Sequence, residues 1–150
     1  MDIFDRIMSI RLLRFAQPFY VKYKEQLLYL FFGGLTTVVS IASFALFAEW
    51  MHVDALIANV FSWILAVAFA FVTNRTWVFQ SDEDESILKQ LTTFVGGRLA
   101  TLGMEELILL VFANLLQFDA LLIKVVAQIL VVVANYVISK LFVFRKKKEK

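Results

Sequence analysis

Between Glu25 and Glu49 the chain runs for 23 residues without a charge. At about 1.5 Å per residue, a helix of that length crosses a hydrocarbon core about 30 Å thick. A second uncharged run of 20 residues lies between Asp54 and Arg75. A third apolar stretch, from about Leu91 to Leu115, contains Arg98, Glu105 and Glu106. A fourth, from about Ala120 to Phe142, has Lys124 near its start. With 150 residues, 61% of them hydrophobic, and one Pro, four such runs leave too little polar surface for a helical bundle in water. The expectation is an all-α membrane protein of four transmembrane helices, about 27–48, 55–74, 91–115 and 120–142. These form one transmembrane domain over 26–145, between an N-terminal segment 1–25 and a basic tail 146–150.

The loops set the expected orientation. Five Lys/Arg stand in 1–24, and the tail Arg145-Lys146-Lys147-Lys148-Glu149-Lys150 is basic. The turns 49–54 and 114–119 have no Lys or Arg. Positively charged segments stay inside, so both termini and the 75–89 loop are placed in the cytoplasm. The N-terminal segment lacks the clean apolar stretch and small-residue site of a cleaved signal. Phe4, Ile7, Met8, Leu12 and Phe15 recur at helical spacing, against Asp2, Arg6, Ser9 and Arg14. This predicts an amphipathic helix in the cytoplasmic interface, broken near Pro18.

Several chemistries have no residues to carry them. There is no Cys, and the one His, His52, cannot build a His-rich metal site. The acidic run Asp82-Glu83-Asp84-Glu85 lacks spaced ligands and a Gly turn, so it reads as a solvated loop. No nucleophile–base pair or phosphate-binding loop is visible. An enzyme, a metal site, a cofactor and nucleic-acid binding are all disfavoured.

The two halves resemble each other. Phe31-Phe32-Gly33-Gly34 matches Phe94-Val95-Gly96-Gly97 at a spacing of 63. Asp54-Ala55-Leu56 matches Asp119-Ala120-Leu121, and Asn74-Arg75-Thr76-Trp77-Val78-Phe79 matches Ser139-Lys140-Leu141-Phe142-Val143-Phe144, both at 65. Three ordered matches predict two parallel two-helix repeats. All five glycines lie in the first and third spans. Small residues let helices approach closely in lipid, so the Gly-Gly pairs are expected to join those spans to each other or to a second subunit.

Phe31-x-x-Gly34, the Asn74-Arg75-Thr76-Trp77-Val78-Phe79 element, and Asn135-Tyr136-x-x-Ser139-Lys140-x-Phe142-Val143-Phe144-Arg145 are similar to the GtrA-like family over about residues 27–145. The N-R-x-W-V-F element is the most specific part. The resemblance implies a role in cell-surface polysaccharide or teichoic acid glycosylation. It further implies movement of a polyprenyl-phosphate-linked sugar between leaflets of the cell membrane, in company with glycosyltransferases. Some relatives act instead as membrane anchors or accessory subunits.

An ionisable group facing lipid at a helix centre costs about 2.5–3.5 kcal/mol. Arg98, Glu105, Glu106 and Lys124 are therefore expected to face the bundle interior or a wet cavity. Arg98 and Glu105, seven residues apart, share a face but lie about 10 Å apart along the axis. Lys124 is expected to reach a glutamate, leaving Arg98 for an external partner. At the matched positions the first half has Leu35, Ala42, Ser43 and Asn59, so the charge lies in the second half. Arg98, with a rigid fork of donors, suits a lipid phosphate. Glu105, Glu106, Asn59 and Gln128 suit sugar hydroxyls, and Arg75 and Lys140 suit first attraction of the headgroup. Trp77, Phe79, Phe142 and Phe144 are read as an interfacial aromatic belt. Two rival readings are a non-catalytic accessory subunit for a glycosyltransferase and a small proton-coupled exporter using Glu105 or Glu106. Four helices make a thin wall around a large amphiphile, so a homo-oligomer, with a dimer favoured, is expected.

Overall fold

The computed structural model describes residues 2–81 and 84–145, without the side chains of 55, 56, 120, 121 and 124. The tail 146–150 and the Asp82-Glu83 pair lie outside the described residues. Every regular element among the described residues is helical. The chain divides into two compact units, Met1–Gln80 and Ser81–Lys150, and each contains a helical hairpin.

The first unit opens with α1, Ile3–Met8. Asp2 caps it through a reciprocal capping box with Asp5. A 3₁₀ turn, Arg14–Ala16, leads into α2, Gln17–Ala45, which has Pro18 in its first turn. The expected break near Pro18 therefore falls earlier, between Ser9 and Leu13, where no helix forms. The physical reason is that proline in the first helical turn loses no hydrogen bond, so Pro18 starts a helix instead of ending one. A kink at Tyr23 (φ −116°, ψ 20°) interrupts α2. Helix α3, Ala55–Thr73, returns antiparallel after a short turn.

The second unit pairs α4, Ile87–Ile108, with α5, Ala120–Ile138. Side-chain oxygens of Ser86 and Asp119 accept from Lys89 and Leu122 N–H groups and cap the two helices. The Gln90 amide, buried at the start of α4, donates to Ser81 Oγ at 2.6 Å and Glu85 Oε2 at 2.9 Å, tying the incoming linker to the helix.

Both units carry the same local devices 65 residues apart. Each long helix ends in a π-helical turn: Leu46–Trp50, Asn74–Val78, Leu109–Leu115 and Ser139–Val143. His52 (φ 54°) and Gln117 (φ 55°) adopt left-handed backbone after the first helix of each hairpin. The bond from Val53 N–H to the Phe47 carbonyl is matched by Phe118 N–H to the Phe112 carbonyl, both 2.9 Å. Tyr29 meets Phe79 at 6.3 Å, and Phe94 meets Phe144 at 6.0 Å. The buried positions Ser62, Ala66, Ala70, Asn74, Val78 and Phe79 recur as Ala127, Val131, Asn135, Ser139, Val143 and Phe144. The ring pairs set the spacing of the first helices at 65 as well, so the Gly-Gly match at 63 is displaced by two residues. On this spacing Gly33 stands for Arg98, Thr36 for Thr101, Ser40 for Glu105 and Ile41 for Glu106.

Among the described residues three helices are long and apolar enough to cross a membrane: Arg14–Trp50, Ile57–Val78 and Val125–Val143. Helix α4 is equally long but is not among them, because its charged and polar side chains dilute the apolar run. The glycines behave differently from one another. A methyl group at Gly97 would lie 2.7 Å from Ile138 Cγ2, whereas Gly33, Gly34, Gly96 and Gly103 face open space. Gly97 thus seats α4 against α5 within its own hairpin, a contact outside the expected pairing of the first and third spans.

Candidate functional site in the second hairpin

Arg98 lies three turns into α4. Its guanidinium carbon sits 5.0 Å from the centroid of the Phe94 ring, one turn earlier. Phe94 is itself 1% exposed and held against Phe144, so the platform under the cation is rigid. A guanidinium over an aromatic face is stabilised by the ring quadrupole and keeps its N–H edges available. Arg98 is half-buried and makes no ion pair among the described residues. Its fork therefore remains open to an external acceptor.

One turn further along the same face, Thr101 and Asn135 join the two helices. The Thr101 hydroxyl donates to Asn135 Oδ1 at 2.8 Å, and both residues are buried. The same hydroxyl lies 3.1 Å from the Arg98 carbonyl. Interhelical bonds of this kind contribute about 0.6 kcal/mol on average in lipid, and up to about 1.7 kcal/mol. Their geometric effect is larger, since Gly97 one turn below and Thr101 above hold α4 and α5 on either side of Arg98. Sequence reasoning did not select Thr101 or Asn135 as site residues. The signal was present: Thr101 is three residues after Arg98 and four before Glu105, so all three share one stripe.

The two glutamates separate. Glu105 is 8% exposed and faces inward. Glu106, about 100° around the helix, is exposed. It lines an open concavity of about 390 Å³ with Gly103, Leu107, Leu109, Leu110 and Asn114. Of the two expected settings, bundle interior or wet cavity, Glu105 takes the first and Glu106 lines the open concavity, because consecutive helical residues point about 100° apart.

The other selected residues are distributed over both units. Gln128 and Lys140 belong to the second and are exposed, and Lys140 Nζ donates to the Tyr136 hydroxyl at 3.4 Å. The Lys124 side chain lies outside the described residues, and with it the expected glutamate pairing. Asn59, exposed, and Arg75, half-buried, belong to the first unit. The expected aromatic belt is largely internal. Phe79 and Phe144 are 3% and 2% exposed, and Trp77 stacks on Phe32 at 5.5 Å with 16° between the planes. Only Phe142 of the four is open, at 69%. The motif also hides a polar group, since Asn74 Oδ1 is buried without a hydrogen-bond partner. Among the described residues no three His, Cys, Asp or Glu side chains could hold a metal ion together.

Residues 28–144 match the family described as the GtrA/DPMS transmembrane domain. A curated relative, "Uncharacterized membrane protein YwcD" of Bacillus subtilis, is 40% identical over 81% of this chain and 98% of its own length. Two proteins named "Cell wall teichoic acid glycosylation protein GtcA" are also similar. That of Listeria monocytogenes is 33% identical and that of Listeria innocua 31%, each over 81% of this chain and 86% of the relative. No solved structure matches the chain significantly. With its apolar helices and a match spanning most of its length, this integral membrane protein belongs to the GtrA/DPMS transmembrane domain family.

Proposed function

We propose that this protein moves a polyprenyl-phosphate-linked sugar from the cytoplasmic to the outer leaflet of the cell membrane, for glycosylation of a cell-surface polymer such as teichoic acid. The observation that carries the reading is Arg98: a cation held mid-helix on an aromatic platform, with no ion pair among the described residues. An uncompensated charge at that depth is costly, and a phosphate headgroup would offset that cost with bidentate hydrogen bonds. Arg75 and Lys140, each at the end of its hairpin's second helix, attract the headgroup first. Glu105, Glu106 and Gln128 bond sugar hydroxyls as the phosphate rests on Arg98, with Lys124 paired to a glutamate; within the first hairpin, Asn59 offers an amide suited to a sugar hydroxyl. The names of the Listeria relatives support the pathway.

In this reading α4, residues 91–115 in particular, is the fourth membrane span, sheltered by its neighbours because its stripe is polar. The 65-residue recurrence supports two parallel two-helix repeats within a 26–145 domain, with both termini cytoplasmic by the positive-inside rule. A dimer or larger homo-oligomer encloses the lipid, and glycosyltransferases load and unload it. The protein itself makes or breaks no covalent bond.

The direct test is passage of a labelled polyprenyl-phosphate sugar across a liposome containing the purified protein. Arg98→Ala is expected to slow passage about 10- to 100-fold, the loss of one to three kilocalories of charged hydrogen bonding. Unchanged passage in that variant removes Arg98 from the mechanism. Exposed Glu106 favours one rival, a proton-coupled cation exporter. That reading requires Glu106→Gln to abolish transport while Arg98→Ala spares it. An accessory subunit, the other rival, would show no passage in the purified wild type.

A further inference from the structure

The N-terminal segment carries an unusual internal ion-pair cluster. Lys24 Nζ bonds Asp2 Oδ2 at 2.6 Å and Asp5 Oδ1 at 2.7 Å. The Tyr20 hydroxyl donates to Asp5 at 3.3 Å, and the Gln80 amide donates to Asp2 at 3.2 Å. On the other side of α1, Phe4 packs edge-on against Phe31 and Phe32 at 6.0 and 5.6 Å. The short helix is thereby clasped to both α2 and Gln80, two residues past the π-helical turn that follows α3.

The clasp consumes Asp2 and Asp5, the acids nearest the N-terminus, and leaves the cations unopposed. Arg6, Arg11, Arg14 and Lys22 are exposed and make no ion pair among the described residues. Interleaved with them are Ile7, Ile10, Leu12, Phe15 and Phe19, with Leu12 and Phe15 at 82% and 84% exposure. Lys22 stands four residues before the uncharged run of α2 begins at Gln26, about 6 Å along a helix. A surface that mixes cations with large apolar side chains, so close to a membrane span, matches a lipid interface with anionic headgroups better than an acidic protein, which would leave the apolar groups unfilled. The geometry points to residues 6–22 as a pre-folded platform that selects anionic phospholipid, held in shape by the Lys24 clasp. It stands independently of what the second hairpin transports.

The chain has no cysteine, so Leu12→Cys accepts an environment-sensitive fluorophore at a unique position. Full-length labelled protein is reconstituted in phosphatidylcholine vesicles, with or without about one-third phosphatidylglycerol. A blue-shifted emission is expected only with the anionic lipid, reversed in about 1 M NaCl, where the Debye length falls to about 3 Å. Arg6→Gln, Arg11→Gln and Arg14→Gln combined should remove the shift. Identical emission in both lipids, or a shift insensitive to salt, overturns the proposal. So does a shift produced in pure phosphatidylcholine by an added soluble polyglutamate, which would mark an acidic-protein surface instead. The salt arm needs no second variant, so misfolding of the arginine triple variant leaves the proposal testable.

Discussion

Helices α2 and α4 occupy the same place in their respective hairpins. Each ends in a π-helical turn, is followed by a left-handed residue, and sets an aromatic ring against the end of its partner helix. Their side chains have diverged. Where α4 has Arg98, Thr101, Glu105 and Glu106, α2 has Gly33, Thr36, Ser40 and Ile41 at the 65-residue spacing. Backbone hydrogen bonds and ring packing define the hairpin and do not constrain the remaining stripe. One stripe can then carry charge while its counterpart stays uncharged, with no change in the scaffold.

This comparison can be broken experimentally, and the largest effect belongs to Arg98. Arg98→Lys keeps the charge but loses the fork, so passage of the labelled lipid should fall about tenfold. Leu35→Ala, in the uncharged run of α2, should leave it within about twofold. Equal losses would show that the charge asymmetry carries no function.

The glycines come next. Gly97→Ala drives a methyl group into stiff, β-branched Ile138, and should destabilise the protein by about 1–3 kcal/mol in thermal unfolding in detergent. Ile138→Ala in the same chain should relieve most of that loss. Gly34→Ala meets open space and should be neutral or stabilising by about 0.5–1 kcal/mol. Similar effects at both sites would mean that Gly97 does not seat α4 on α5.

Threonine offers a finer contrast. Thr101 bonds across to Asn135, whereas Thr36 bonds the Phe32 carbonyl of its own helix. Thr101→Val should cost about 1 kcal/mol, and Thr36→Val close to nothing. Thr101→Ser should recover most of the loss, and should also restore transport if Thr101 acts by positioning Arg98.

The smallest effect concerns the clasp on α1, for which no counterpart was found among the described residues of the second unit. The hydrogen bond from Lys24 holds the Asp5 carboxyl below its ordinary value of 3.8. A carboxyl lowered in the folded state stabilises above its unfolded value, and the gain is lost as pH falls through the folded one. Hydrogen-exchange protection of α1 should therefore be full at neutral pH and decline below about pH 4. Because the pair is near the surface, Asp5→Asn should cost only about 0.5 kcal/mol. Undiminished protection at pH 2 would show that Phe4 alone holds the helix.

Much of the fold was legible because lipid imposes simple rules. Uncharged runs reported spans, Asp54 and Asp119 marked the starts of second helices, and Asn74–Phe79 against Ser139–Phe144 reported the recurrence. Other features were not legible. Pro18 was read as a breaker because its effect depends on whether it falls in a first turn or an interior. The glycine pairs were aligned by composition, which carries no register, and the ring pairs moved the match by two residues. Trp77, Phe79 and Phe144 were read as interfacial because aromatic identity does not say which side of a helix is turned inward. In the candidate site, charge alone singled out Arg98, whereas Thr101 and Asn135 are ordinary residues until two helices bring them within 2.8 Å.

The sequence by itself determined that the chain is helical and membrane-embedded, and that the ionisable groups inside its apolar stretches lie in the second half. Backbone hydrogen bonding and the cost of charge in hydrocarbon depend on residue type and spacing, both of which are written in the chain. Tertiary structure alone decided that Glu105 is buried while Glu106 is open, that Arg98 rests on Phe94, and that Lys24 clasps Asp2 and Asp5. Those outcomes depend on the rotation of each helix about its axis. Packing between hairpin partners sets that rotation, and no run of residues along a single helix records it.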